Sequence, residues 1–215
     1  MVDDRVVEQA AGMATPPASA PGERRRQVDR TAATKAALAD ATIDLLVERG
    51  WASVTAIEVC NRVGVTRGAF HHHYDSLASL VADALRRLYD EMRATDRDAV
   101  STLVDVIDST WAQVGRPRFK AVIEAWLAMA NDAGLRPEIG PVVAEFAALV
   151  NPERASPIVV GDDRRDFYLT ARETMLGLAL GRATNGGKPL GHEPAVLATL
   201  RTGAAALGSA STREA

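Results

Sequence analysis

The sequence has a single cysteine and no long apolar run, and each shortage excludes a class of protein. Cys60 has no second cysteine to pair with, which excludes an internal disulfide and is typical of a reducing compartment. No apolar stretch approaches the roughly 18 residues that a membrane-spanning helix needs. The N-terminal residues are acidic and lack the apolar segment of a secretory signal. We therefore expect a cytoplasmic protein with no membrane partner.

The sequence also lacks the common signatures of catalytic and metal sites. It has no paired carboxylates, nucleophile elbow or phosphate-binding loop, so we expect no enzyme activity, catalytic residue or cofactor. Three consecutive histidines, His71 to His73, diverge by about 100° per residue on a helix and cannot converge on one ion. His71 and Asp75 share a face, but two ligands are too few for a structural zinc site. We expect no bound metal and a buried, structural Cys60.

Positive charge is scarce and concentrated in one part of the chain. The net charge of the chain is −3, yet residues 24–74 carry +3 while the segments on either side carry −3 each. Screening in physiological salt limits attraction to phosphates to about 8 Å, so a negative remainder of the chain does not prevent local contact with nucleic acid. The charge distribution supports DNA binding by residues 24–74.

No convincing period-two pattern of a β-strand occurs, and from Thr31 onward the apolar residues recur at helical spacing. The fold class that we predict is all-α. Beyond the first four helices, the helices are expected at about 96–114, 118–133, 138–150, 163–184 and 193–207, separated by glycine and proline. Residues 1–29 lack periodicity and are rich in Ala, Pro and Ser, so we predict a disordered tail. Its basic end, Arg24, Arg25 and Arg26, is either a solvated linker or an arm that contacts phosphates or the minor groove.

Residues Thr55 to Tyr74 have the pattern of a helix-turn-helix. Thr55 and Glu58 form a capping-box pattern, Gly64 interrupts the first helix, and Thr66 can cap the second. Ile57, Val59, Cys60 and Val63 are expected to provide the apolar face of the first helix. The second helix of such a motif normally lies in the major groove of DNA.

The spacing within the second helix assigns its residues to two faces. Phe70 and Tyr74 are four apart and should turn inward, whereas Arg67, Gly68, His71 and His72 should face largely outward. An outward arginine can donate two hydrogen bonds to guanine or one to a phosphate. The two threonine hydroxyls either cap their helices or bond to phosphates, and both roles are compatible. The candidate DNA-binding residues are Thr55, Thr66, Arg67, Gly68, His71, His72 and His73.

The stretch from Gly64 to Tyr74 resembles the recognition helix of the TetR (tetracycline repressor) family of bacterial regulators, and the resemblance extends over residues 31–90. It implies a DNA-binding domain at 30–92 and a helical effector-binding and dimerisation domain at 93–215. His73 matches the histidine that is common in the family. His71 stands in place of a DNA-facing tyrosine, and Leu77 in place of a phosphate-binding lysine. These two departures leave open the strength and the sequence preference of DNA binding.

The resemblance further implies a ligand cavity and a dimer interface in the C-terminal region. The candidate pocket residues are Trp111, Trp126, Met129, Phe146, Phe167 and Tyr168, although each could equally be plain core. Gly177 and Gly181 lie four apart on one helix, where they would admit either a second subunit or a neighbouring helix of the same chain.

The function that we expect is a homodimeric repressor that binds a pseudo-palindromic DNA operator and is released by a small-molecule effector. A helical enzyme or carrier that retains a three-helix module is an alternative, as is a DNA-binding dimer without an effector. The sequence leaves open the effector, the operator, the regulated genes and the sign of regulation.

Overall fold

Nine α-helices and two short 3-10 helices make up the secondary structure of the residues that the computed structural model describes, 21–94, 100–149 and 158–210. Side chains are described over 28–94, 100–147 and 158–208. No strand occurs within these ranges, which confirms the all-α prediction. The α-helices are α1 Pro21–Arg49, α2 Ala56–Val63, α3 Arg67–His73, α4 Leu77–Arg93, α5 Leu103–Val114, α6 Phe119–Asn131, α7 Arg136–Leu149, α8 Asp162–Thr184 and α9 Glu193–Ala210.

The first helix begins earlier than the sequence pattern indicated. It starts at Pro21, inside the segment predicted as a disordered tail over 1–29. Proline is favoured in the first turn of a helix because it has no N–H to leave unsatisfied there. The predicted end of the tail is therefore corrected to a position before Pro21, and residues 1–20 lie outside the described residues. The side chains of Arg24, Arg25 and Arg26 also lie outside the description, so the proposed arm stays a prediction.

The core of the N-terminal helices follows the predicted apolar rhythm. Leu38, Leu45 and Leu46 of α1 are fully buried. Thr42 is buried among them, and its hydroxyl donates to the carbonyl of Leu38 at 2.8 Å, which satisfies the one polar side chain on this face of the helix. These residues belong to the same buried cluster as Phe70.

The C-terminal helices pack around α4 and α5. Helix α4 contacts α6 and α7, and α5 contacts both α8 and α9. The structure starts α5 at Leu103, later than the expected start near residue 96, of which residues 95–99 lie outside the description. Thr102 and Asp105 form a reciprocal capping box, in which the N–H of Asp105 donates to the hydroxyl of Thr102 at 3.1 Å. This box sets the first turn of α5.

A largely buried ion pair joins α5, α8 and α9. Arg182 donates to the carboxylate of Glu193 at 2.6 Å and to the carbonyl of Gly115 at 2.5 Å. The guanidinium also lies 4.8 Å from the ring centroid of Trp111. The hydrogen bond from Arg182 lowers the pKa of Glu193. Three separate helices are therefore held by one arginine near the ends where they meet.

The helices in the described part of the chain can be compared with what a membrane-spanning helix requires. No helix there combines the length and the apolar character that crossing a membrane requires.

Candidate nucleic-acid interface

The N-terminus of α2 is capped by one half of the predicted capping box. Thr55 has an extended backbone, and its hydroxyl accepts from the N–H of Glu58 at 3.1 Å, as the pattern predicted. The expected return bond from Glu58 is wrong, because the carboxylate of Glu58 instead accepts from Arg49. Glu58 therefore ties α2 to the end of α1.

A glycine turn separates α2 from α3. Gly64 adopts φ 76° and ψ 31°, a left-handed conformation in which a side chain is strained. The N–H groups of Gly64 and Val65 both donate to the carbonyl of Cys60, at 2.9 and 3.0 Å. Thr66 then caps α3 by accepting from the N–H of Ala69 at 3.2 Å. The turn thus ends one helix and starts the next within three residues.

Helix α3 has one buried and one exposed face, as its spacing predicted. The side chain of Phe70 is 1% exposed and that of Tyr74 is 5% exposed. The hydroxyl of Tyr74 donates to Asp83 of α4 at 2.6 Å, which fixes the end of α3 on the helix that follows. Burial, with this bond, raises the pKa of Tyr74. The residues that remain exposed are Arg67, Gly68, His71 and His72.

Three further residues of the motif, Ile57, His73 and Cys60, differ from one another in how far they are buried. Ile57 was expected on the apolar face of α2, but this prediction is wrong, because 56% of Ile57 is exposed. His73 is half-buried, and burial lowers its pKa, with smaller contributions from His72 and Lys35. Cys60 is buried as expected, and burial raises the pKa of its thiol.

Arg67 has no ion-pair partner in the described structure, unlike the other basic residues of residues 35–74. Lys35 pairs with Asp83 at 3.4 Å, and Arg62 pairs with Glu48 at 2.6 Å. Arg49 pairs with Glu58, as described above. The positive excess of this region is therefore mostly neutralised within the fold, and the guanidinium of Arg67 is the one left available at the start of α3.

Comparison with known proteins places this motif in a family. Residues 38–84 match the family model for bacterial regulatory proteins of the tetR family. This chain carries a TetR-family DNA-binding domain. The chain is 31% identical over 68 residues to the transcriptional repressor KstR2 of Rhodococcus jostii, covering 32% of this chain and 33% of that protein. It is 30% identical over 81 residues to the transcriptional regulator CymR of Pseudomonas putida, covering 38% and 40%.

The likeness to solved structures extends beyond the TetR-family domain. The regulator FadR of Bacillus subtilis, in complex with stearoyl-CoA, superposes with a TM-score of 0.56 at 16% identity, covering 77% of this chain and 97% of that structure. This likeness concerns the fold alone. The curated relatives named above match over 33% to 40% of their own length.

Helix α6 makes polar contacts with the end of the first helix of the TetR-family domain. Lys120 donates to the carbonyl of Val47 in the last turn of α1 at 2.7 Å. Glu124 accepts from the N–H of Trp51 at 2.9 Å. Gly50, at φ 76°, permits this approach, because a Cβ there would lie only 3.1 Å from the Glu124 carboxylate. Two side chains on one face of α6 are therefore hydrogen-bonded to the backbone at the end of α1.

A second link joins the start of α6 to the TetR-family domain. Arg118, the residue before α6, lies 3.8 Å from Asp40 of α1 and 3.5 Å from Glu91 of α4. Arg87 of α4 donates to the same Asp40 at 2.8 Å. These contacts join the start of α6 to both α1 and α4.

The six residues predicted to line a ligand pocket do not form one group. Among the five aromatic ones, Trp126 and Phe146 are in ring contact, with centroids 5.4 Å apart. Their partners are Tyr89, stacked on Phe146 at 4.7 Å, and Phe119, edge-on to Trp126 at 5.9 Å. We call Tyr89, Phe119, Trp126 and Phe146 the aromatic cluster.

The remaining predicted pocket residues lie elsewhere. Trp111 packs on Arg182, and Phe167 contacts α9 so closely that a Cβ on Gly203 would lie 2.5 Å from its ring. Tyr168 is buried in α8, and Met129 is partly buried against the core. Their role as ligand contacts stays a prediction.

Gly177 and Gly181 have different surroundings despite their common face. A Cβ on Gly181 would lie 2.6 Å from the side chain of Leu190, so this glycine admits a residue of its own chain. A Cβ on Gly177 would meet nothing within 4 Å, and Gly177 is exposed. Only Gly177 therefore keeps an open surface for a second subunit.

The sequence reading missed Tyr89, Phe119, Lys120 and Glu124. Lys120 and Glu124 carried a usable signal, because they are the only charged residues in α6 and lie four apart. Tyr89 and Phe119 carried none, since an aromatic residue on the apolar face of a helix is usually plain core. Leu77, in the place of the family's lysine, starts α4 and packs partly buried against the core.

Proposed function

We propose that this chain is a DNA-binding transcriptional regulator of the TetR family. The single observation that carries the proposal is that Arg67 is exposed at the first position of α3 and has no ion-pair partner in the described structure. A guanidinium in this position can bond to guanine in the major groove. Gly68 beside it has no side chain and is exposed, so it lets the backbone approach the duplex.

The neighbouring candidate residues would position α3 on the duplex. His71 and His72 are exposed on the same helix, and His73 borders it. Thr55 and Thr66 already cap their helices, and the N-termini that they cap can also receive phosphates. Arg24, Arg25 and Arg26 would add phosphate or minor-groove contacts from the start of α1.

We propose a homodimer that binds a pseudo-palindromic operator. Two copies of α3 separated by one DNA turn, about 34–36 Å, would read two half-sites. The exposed Gly177 and Leu180, which is 44% exposed, support a contact between copies through α8. Glycine at this position would allow the two helices to approach closely.

We further propose that a small-molecule effector lowers operator affinity, so that the regulator acts as a cytoplasmic repressor and not as an enzyme. The named relatives are regulators, one of them a repressor, and the structurally similar FadR was solved with an acyl-CoA. Effector binding near α6 would act through Lys120, Glu124 and Arg118 on α1 and α4. A coupling of about 1–3 kcal/mol corresponds to a 5- to 150-fold change in affinity.

A mobility-shift titration tests the DNA-binding proposal. The purified chain is titrated with a fragment from beside its own gene over a salt series, alongside Arg67→Ala and the control Arg136→Ala, which removes an exposed arginine at the start of α7. We expect a salt-dependent shift that Arg67→Ala weakens by about 1–3 kcal/mol and Arg136→Ala leaves unchanged. No shift at low salt, or equal losses in both variants, would contradict the proposal.

The same titration on altered operator sequences separates two roles for Arg67. Loss confined to one base position assigns its side chain to a guanine. Equal weakening on every sequence assigns it to a phosphate.

A further inference from the structure

We propose that the aromatic cluster is the effector site and that it takes a small apolar molecule with an uncharged hydrogen-bond acceptor, such as a ketone, ester or amide. This inference rests on the proposed function, since it names the chemical class of the effector of that regulator. It is carried by two donors inside the cluster.

The two donors are the hydroxyl of Tyr89 and the indole N–H of Trp126. Both atoms are buried, and neither has a hydrogen-bond partner among the described residues. A phenol oxygen can accept from an indole N–H, but an indole nitrogen cannot accept, so these two groups by themselves always leave at least one donor hydrogen without an acceptor. Buried polar groups without partners are rare in proteins and call for a specific reason. An acceptor atom on a ligand would satisfy that remaining hydrogen.

The surroundings favour an uncharged acceptor. The cluster is made of four aromatic side chains and contains no cation that could neutralise a carboxylate. Burial raises the pKa of Tyr89 to about 12, the side chain of Trp126 opposes this rise as a hydrogen-bond donor to the phenol oxygen, and the negative charge of Glu145 adds to it. The phenol therefore keeps its proton at neutral pH and remains a donor. The same carboxylate would repel an anionic ligand, and its partner Arg86 lies 3.7 Å from it at the surface.

Room for a ligand adjoins the cluster at Phe119. A cavity of about 40 Å³ borders this residue, and its lining includes Leu88, Met92 and Val122 together with the polar residues Glu91, Gln113, Arg116 and Arg118. The two arginines already have partners, because Arg118 pairs with Asp40 and Glu91 and Arg116 donates to the carbonyl of Ala112. This volume has room for only a few water molecules, so a larger ligand must displace side chains. Met92 is suited to such a change, because an unbranched thioether repacks readily.

The position of Phe119 also connects the site to the DNA-binding domain. Its chain neighbours are Arg118, which pairs with Asp40 and Glu91, and Lys120, which bonds to the carbonyl of Val47. A ligand that displaces Phe119 would therefore strain both polar links to α1.

The test uses three probes of similar size: acetophenone, which has a neutral acceptor, ethylbenzene, which has none, and benzoate, which is an anion. Each is titrated into the full chain by calorimetry and by thermal unfolding. We expect acetophenone to bind at least about 5-fold more tightly than either ethylbenzene or benzoate, since it alone offers an uncharged acceptor to two buried donors.

Three variants link the preference to the named atoms. Tyr89→Phe and Trp126→Phe should each weaken acetophenone binding by about 3- to 10-fold, and Tyr89→Phe should leave ethylbenzene binding unchanged. Trp51→Phe, at a tryptophan that belongs neither to the cluster nor to the predicted pocket, is the matched control and should leave acetophenone binding unchanged. Equal binding of acetophenone and ethylbenzene, tighter binding of benzoate, or no binding of any probe would overturn the inference.

DNA binding by the same preparations separates this inference from the proposed function. A protein that shifts the fragment but shows none of the expected probe preference refutes the effector class and leaves the regulator standing. A protein that shows the preference but never binds DNA refutes the regulator and leaves the binding site.

Discussion

The outer face of α3 and the aromatic cluster both contain hydrogen-bond donors that have no partner in the described structure, but their surroundings are opposite. Arg67 is exposed, so water satisfies its guanidinium at little cost in stability. Tyr89 and Trp126 hold their donors out of water, where each unsatisfied group costs roughly 1–3 kcal/mol. A free donor at the surface is thus readily available to DNA, whereas a free donor in the core is a destabilising feature that a ligand would relieve.

The two regions also differ in how they are connected to the rest of the fold. Helix α3 is anchored from beneath by Phe70 and Tyr74, so its outer residues can change without loss of packing. The aromatic cluster is drawn from α4, α6 and α7, and among its four residues only Trp126 is partly exposed. Changes in the cluster are therefore expected to alter stability and ligand binding together.

The largest expected effect separates the two faces of α3. Phe70→Ala should lower the free energy of unfolding by about 3–5 kcal/mol, because it leaves a cavity beneath α3. Arg67→Ala should change the free energy of unfolding by less than about 0.5 kcal/mol, since its side chain is exposed and unpaired. Urea denaturation followed by circular dichroism measures both. A large loss of stability in Arg67→Ala would contradict the exposed, unpaired position of this residue.

A smaller effect, of opposite sign, is expected in the cluster. Tyr89→Phe should raise the free energy of unfolding of the ligand-free chain by about 1 kcal/mol, because it removes a buried hydroxyl without a partner. The matched control is Tyr74→Phe, which removes a hydroxyl bonded to Asp83 and should lower that free energy by about 1 kcal/mol. The same denaturation experiment compares the two variants. If both variants changed the free energy of unfolding in the same direction, the Tyr89 hydroxyl would not differ from a hydroxyl that has a partner.

The link between the regions can be weakened at α6. Lys120→Met keeps the length of the side chain but loses the hydrogen bond to the carbonyl of Val47, and should lower the free energy of unfolding by about 0.5–1 kcal/mol. The control Lys188→Met alters an exposed lysine in the turn before α9 and should have no effect. In a mobility-shift assay, we also expect acetophenone to release DNA less effectively from Lys120→Met than from the unchanged chain. An undiminished release would show that this bond does not couple the two regions.

The smallest effect concerns the histidine at the border of α3. Burial lowers the pKa of His73 in the folded state, so the folded chain resists the proton that the unfolded chain accepts. Its contribution to stability is therefore complete above the unfolded pKa of about 6.5 and declines as pH falls toward the lower folded pKa. His73→Gln should flatten the fall in unfolding free energy between pH 7 and pH 5. An unchanged pH profile in this variant would rule out a contribution from His73.

The helix-turn-helix could be predicted in detail because its determinants are close together in the chain. The Thr55 and Thr66 caps and the Gly64 turn involve partners within five residues. The inward position of Phe70 and Tyr74 follows from helical periodicity alone. The predicted bond from the Glu58 carboxylate back to the start of α2 was wrong, because Arg49, nine residues away, is a charged and therefore stronger partner.

The candidate effector site could not be predicted in the same way. Its ring contacts join α4, α6 and α7, and the predicted pocket residues were chosen by residue type without knowledge of which helices meet. Gly181 illustrates the same limit, because Leu190 fills the space beside it and leaves only Gly177 open. Residue type indicates that close packing occurs, whereas the partner depends on the path of the chain.

The sequence by itself determined an all-helical chain, the capped and glycine-hinged pair α2 and α3, and which side of α3 faces outward. These features depend on hydrogen bonds and spacings over a few residues, which act wherever the segment is placed. The tertiary structure alone decided that Arg67 stays unpaired while Lys35, Arg49 and Arg62 find carboxylates, and that Tyr89 and Trp126 are buried without acceptors. Pairing and desolvation depend on groups that are distant in the chain, and only folding brings those groups together or keeps them apart.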